Sequence, residues 1–80
     1  MRIKVLFFAE LKEIFGSSRP MDIREGSTIE EVVDFLAGES DRFRSKRSFL
    51  VYAINESFES VEKKLDHNDE LALMMPMSGG

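Results

Sequence analysis

Gly79 and Gly80, the last two residues, are where residue type and position could together do chemistry in this sequence. Glycine lacks a Cβ, so two in succession form an unbranched thread whose carboxylate can enter a channel too narrow for other pairs. On that reading Gly80 supplies the working carboxylate, Gly79 lets it thread, and the rest of the chain is a carrier. The dipeptide by itself leaves open an incidental, frayed end. Other chemistry is scarce. The chain has no cysteine, which excludes disulfides, thiolate metal sites and a cysteine nucleophile, and thioethers cannot substitute. A lone His67 among Asp66, Asn68 and Asp69 lacks the spaced donors of a metal site and reads as a polar turn, so no metal is expected. The run Arg42, Phe43, Arg44, Lys46, Arg47 has one aromatic and no stacking platform. It reads as a solvated segment in a chain of net charge -4, and no nucleic-acid partner is expected.

Eighty residues allow one modest core and no deep cleft, so a self-contained enzyme is not expected. An acidic surface suits a basic protein partner. Arg2 and Lys4 interrupt the apolar start and no long apolar run follows, which predicts a cytoplasmic protein without a membrane partner. Ile3, Val5 and Phe7 alternate with Arg2, Lys4 and Leu6 as a strand does. Leu11, Ile14 and Phe15 fit a short helix that Gly16 stops in a left-handed conformation. Residues 19–24 read as a second strand, antiparallel to the first, with Pro20 near its start or at a sheet edge. Thr28 and Glu31 fit a capping box, and Ile29, Val32, Val33 and Leu36 form one helical stripe. Residues 49–54 are apolar throughout and predict a central strand buried on both faces. Asn55 to Ser57 turn the chain, 58–61 form a short strand or extended loop, Leu65 is an apolar anchor, and 71–75 form the last strand, ended by Pro76. This order predicts an α+β domain over residues 1–76, with a mixed sheet of four to five strands, one main helix on one face, and an exposed tail at 77–80.

Taken together, Ile3 to Leu11 through Gly16, the Thr28 to Leu36 helix, Ala53-Ile54-Asn55, Asp69-Glu70-Leu71 and Pro76-Met77-Ser78-Gly79-Gly80 resemble the small subunits of molybdopterin synthase. The resemblance spans essentially the whole chain. It places the sequence among the ubiquitin-like β-grasp sulfur carriers, which also include the thiamine carrier and the ubiquitin-related modifiers. The Val5-Leu6-Phe7-Phe8-Ala9 opening and the segment between main helix and central strand favour the molybdopterin branch.

The resemblance implies that an E1-like adenylating enzyme activates the Gly80 carboxylate with ATP and that sulfur then replaces the adenylate. The thiocarboxylate would donate sulfur to cyclic pyranopterin monophosphate in a pocket of the synthase large subunit, making a hetro-oligomer in which this chain binds no cofactor itself. Related alternatives are carriage of sulfur for thiamine or tRNA thiolation, and conjugation of Gly80 to lysines. An interaction domain with an incidental Gly-Gly also stays open. A tail threaded into a partner loses roughly 1–2 kcal/mol of backbone entropy per residue, which the fixed φ of Pro76 reduces. The implied partner surface is an apolar part of the sheet: Phe7, Phe58, Leu73 and Met74, flanked by Met75, Pro76, Met77 and Ser78. Methionine repacks readily against two partners in turn, although Met74-Met75 departs from the aromatic or proline residues common in the family there. Alternation leaves Phe7 and Leu73 open between core and interface and assigns Phe58 and Met74 to an exposed patch.

Overall fold

A computed structural model describes residues 1–76 of the chain. Strand β1 (Arg2–Phe7) leads through helix α1 (Leu11–Phe15) to β2 (Ser18–Asp22), then the main helix α2 (Ile29–Glu39), a single turn α3 (Asp41–Arg44), a 3-10 turn (Arg47–Phe49), β3 (Val51–Ile54), β4 (Ser57–Glu59) and β5 (Glu70–Met74). The five strands form one mixed sheet in the order β2-β1-β5-β3-β4. β1 runs parallel to β5, and the other neighbours pair antiparallel.

Helix α2 starts where the sequence signals it. The Thr28 hydroxyl accepts from Glu31 N–H at 3.3 Å and the Glu31 carboxylate accepts from Thr28 N–H at 3.3 Å, the reciprocal capping box. Ile29, Val32, Val33, Leu36 and Ala37 are buried against Ile3, Val5 and Phe7 of β1 and Leu71 and Leu73 of β5. Phe7, Phe15 and Phe43 continue this core under α1 and α3, with ring centroids 5.0 and 5.3 Å apart. Gly16 ends α1 at φ 86° and ψ -177°, a positive-φ region open essentially to glycine alone, rather than in the left-handed helical conformation that the sequence predicts.

Two sequence expectations change here. The apolar run 49–54 is not one doubly buried central strand. Phe49 lies in the 3-10 turn at 60% exposure, Val51 and Tyr52 are half-buried, and the centre of the sheet belongs to β5, which takes β1 on one side and β3 on the other. The basic segment is not simply solvated. Arg42 and Lys46 reach Glu13 and Glu10 around α1 at 3.7 and 3.2 Å, Arg47 pairs with Asp34 of α2, and Arg44 with Asp41. Its charge is balanced by acids from three helices, which removes the electrostatic footprint that a phosphate backbone would need.

The base of β5 is fixed by side chains. Asp69, buried, accepts from Asn55 Nδ2 at 2.9 Å and from Asp66 N–H at 2.7 Å, while Asn55 Oδ1 accepts from Glu70 N–H at 2.9 Å. Asn55 and Glu56, both at positive φ, close the two-residue turn between β3 and β4. His67 lies in the Asp66–Asp69 turn that precedes β5 and ties it to β1: its Nδ1 accepts from Arg2 N–H at 3.0 Å.

Candidate functional site: the open face of the sheet

Helix α2 covers one face of the sheet and leaves the other open. Strand registers place the residues of that open face in rows. Leu6, Ala72, Ala53 and Phe58 lie side by side across β1, β5, β3 and β4, and Met74 and Val51 form the next row toward the end of β5. Phe58 is 76% exposed and Phe8, just past β1, is 42% exposed. Between Leu6 and Phe58 the row holds two alanines, Ala72 half-buried and Ala53 buried, whose short side chains leave a shallow apolar trough beside the exposed Phe58 ring. Exposed apolar side chains gathered this way mark an interaction surface. The opposite end of the face is charged: Arg2 grips Asp22 through two hydrogen bonds of 3.0 and 3.1 Å, and Lys4 and Glu70 share a row. Hydrogen bonding to Arg2 holds the Asp22 carboxyl below the usual carboxylate range. On the helix side, burial raises the Tyr52 phenol above its ordinary value.

Phe7 and Leu73 are not part of this surface. Both are fully buried on the helix side, because they continue the Ile3, Val5 and Leu71 alternation into the core, and their assignment to a partner surface is corrected to core. Phe58 and Met74 do face the open side; Met74 is half-buried. Met75 is half-buried and packs against the core, and Pro76 is exposed. Met77, Ser78, Gly79 and Gly80 lie outside the described residues. Sequence reasoning passed over Leu6, Phe8, Val51 and Ala72. The signal was available in β1, where the residues alternating with the core positions change from Arg2 and Lys4 to Leu6 and Phe8, from charged to apolar along one face.

The described residues contain no group of three or more histidine, cysteine, aspartate or glutamate side chains placed to hold a metal ion. No helix among them is long and apolar enough to cross a membrane.

A five-stranded mixed sheet with a helix across one face, an open apolar surface on the other and a central last strand is the ubiquitin-like β-grasp architecture. The small archaeal modifier protein 1 of Haloferax volcanii superposes with a TM-score of 0.84 at 25% identity, over 100% of both chains. A chain of the complex of subunits 1 and 2 of the molybdopterin-converting factor of Helicobacter pylori shares the fold, with a TM-score of 0.72 at 20% identity over 100% of both chains. Residues 5–80 match the ThiS family, and the chain belongs to that family. It is 35% identical over 81 residues to the molybdopterin synthase sulfur carrier subunit of Arabidopsis thaliana, covering 100% of this chain and 84% of that protein.

Proposed function

We propose that this chain is the sulfur carrier subunit of a molybdopterin synthase. The observation that carries the reading is the course of β5: the central strand passes beside the apolar trough and leads into Met75 and Pro76, so a partner seated on the open face lies next to the start of the tail. The curated relative's name and the family match support it. Gly80 is the reacting residue. Its carboxylate attacks the α-phosphorus of ATP on an E1-like enzyme, releasing pyrophosphate and leaving an acyl-adenylate. A sulfur donor displaces AMP to give the thiocarboxylate, a nucleophile that needs no side-chain thiol. In the synthase the tail enters the large subunit, Gly79 passing the constriction; the thiocarboxylate sulfur bonds to carbon of cyclic pyranopterin monophosphate, and water then cleaves the acyl–sulfur bond, leaving the sulfur on the pterin and returning Gly80 as a carboxylate. Phe58, Met74, Leu6 and Phe8 hold both partners in turn, which makes loading and delivery mutually exclusive.

Incubation with ATP, a sulfur donor and an adenylating enzyme, followed by intact-protein mass spectrometry, is expected to show sulfur replacing one oxygen at the terminus. Added large subunit and pterin precursor return the original mass. An unchanged mass with every such enzyme rejects the proposal. The likeness to an archaeal modifier protein favours one second reading, conjugation through Gly80, whose mark is an isopeptide-linked Gly-Gly remnant on lysines of other proteins.

A further inference from the structure

Four large apolar side chains are exposed among the described residues: Phe8, Phe35, Phe49 and Phe58. Phe8 and Phe58 belong to the open face, and the ring of Phe35 on α2 lies 5.9 Å from the Arg19 guanidinium. Phe49 is accounted for by neither arrangement. It closes the 3-10 turn Arg47–Phe49 just before β3, and at 60% exposure it is more open than Phe8 or Phe35. A ring held in water in this way gains by burial against another molecule.

The sheet register places this ring. β3 pairs antiparallel with β5 from Val51↔Met74 to Ile54↔Leu71, so the start of β3 and the end of β5 lie at the same end of the sheet. Two further residues in each direction bring the chain to Phe49 and to Pro76. The ladder itself stops short of them, because Pro76 has no N–H to donate and the Phe49 N–H is bonded to Lys46 C=O at 3.0 Å. β1, parallel to β5 on its other side, ends at Phe7 beside Leu73, with Phe8 next in the chain. Phe8 just past β1 and Phe49 just before β3 therefore bracket the end of the strand from which the tail departs. Phe58, beside Ala53, lies further from that end. The turn that carries Phe49 is pinned on both sides: Phe43 and Leu50 are buried, Lys46 pairs with Glu10 at 3.2 Å, and Arg47 pairs with Asp34. A ring presented by fixed backbone loses little freedom on binding, and the same ion pairs balance the cations beside it.

We infer that Phe49 is a partner-binding residue at the root of the tail, which packs on an apolar rim of the large-subunit channel that the tail enters. This rests on the carrier reading above and adds to it a contact outside the trough. A partner that takes in the chain beyond Pro76 must close around the end of β5, and Phe49 is the large apolar side chain exposed there on the β3 side, as Phe8 is on the β1 side. Aromatic anchors on preorganised backbone are the contacts that dominate association.

The test is calorimetric titration of the full chain with the synthase large subunit, joined by photo-cross-linking within the complex. Phe49→Ser should weaken the complex about tenfold with an unchanged thermal midpoint, and Phe49→Trp should restore it. On irradiation, Phe49→p-benzoylphenylalanine should attach to the same large-subunit peptides as Met77→p-benzoylphenylalanine, while Phe35→p-benzoylphenylalanine, on the helix side, should attach to none. If the unaltered chain gains sulfur and binds the large subunit, the carrier reading stands; undiminished affinity of Phe49→Ser, or cross-links from position 49 to other peptides or to none, then overturns this inference alone. An unaltered chain that gains no sulfur with any adenylating enzyme overturns both.

Discussion

Phe7 and Phe8 are adjacent and face different surroundings, a consequence of the two-residue period of β1. Phe7 is buried against Phe15, so Phe7→Ala leaves a cavity as well as losing transfer energy and should cost about 3–5 kcal/mol in urea unfolding. Phe58→Ser at 76% exposure should change stability by no more than about 0.5 kcal/mol while weakening association with the synthase large subunit, measured by titration calorimetry. Equal affinity in that variant would remove the trough from the docking surface. Backbone conformation sets a second contrast. A Cβ would meet nothing within 4 Å at either Gly16 or Gly38, so space does not separate them. Gly38 lies inside α2 with an ordinary helical φ, and Gly38→Ala should stabilise by about 0.5–1 kcal/mol. Gly16→Ala carries strain of about 1–3 kcal/mol from φ 86° alone and should lower the unfolding midpoint.

Elements are joined by charge at the rim and by apolar packing beneath it. Arg19 of β2 reaches Glu39 at the end of α2 through two hydrogen bonds of 2.7 and 2.9 Å, and its guanidinium lies 5.9 Å from the ring centres of Phe15 and Phe35. Hydrogen bonding to Arg19 lowers the Glu39 carboxyl below its ordinary value. A carboxylate depressed in the folded state contributes stability above the unfolded carboxylate range and loses it as pH falls through the folded value. Arg19→Met keeps the stem against the rings and removes the pair, so its stability should fall less than that of the unaltered chain between about pH 6 and pH 3. Parallel losses in urea unfolding at the two pH values would show that the exposed pair contributes nothing. What the sequence makes legible at this scale follows from how local the cause is. Helix α2 could be placed because its capping box and stripe lie within twelve residues of one another. Residues 49–54 could not be divided correctly, because a continuous apolar run carries no period to separate a 3-10 turn from a strand. The partners of Arg42 and Lys46 lie about thirty residues back, on α1, and no local pattern announces them.

The whole molecule closes through β5. Its parallel pairing with β1 joins the two ends of the chain, and its antiparallel pairing with β3 ties in the middle, so the last strand in sequence is the centre in space. No local pattern in the sequence places β5 in the middle of the sheet, since strand order is decided by contacts distant along the chain. The same property explains why the open face was read only in part: its apolar row assembles from Leu6, Ala53, Phe58 and Ala72, and only the register brings them together. Carrier and cargo end should therefore separate on truncation. Deleting residues 70–80 removes Leu71 and Leu73 from the core and exposes both β1 and β3, so the remainder should lack the dispersed amide spectrum of a folded domain. Deleting only Gly79 and Gly80 spares every core residue among those described, which lie within 3–73, and should leave the thermal midpoint unchanged while abolishing sulfur incorporation at the terminus. If the shorter deletion still gained sulfur, the terminal carboxylate would not be its site; if it unfolded, the last two residues would belong to the domain rather than to its tail.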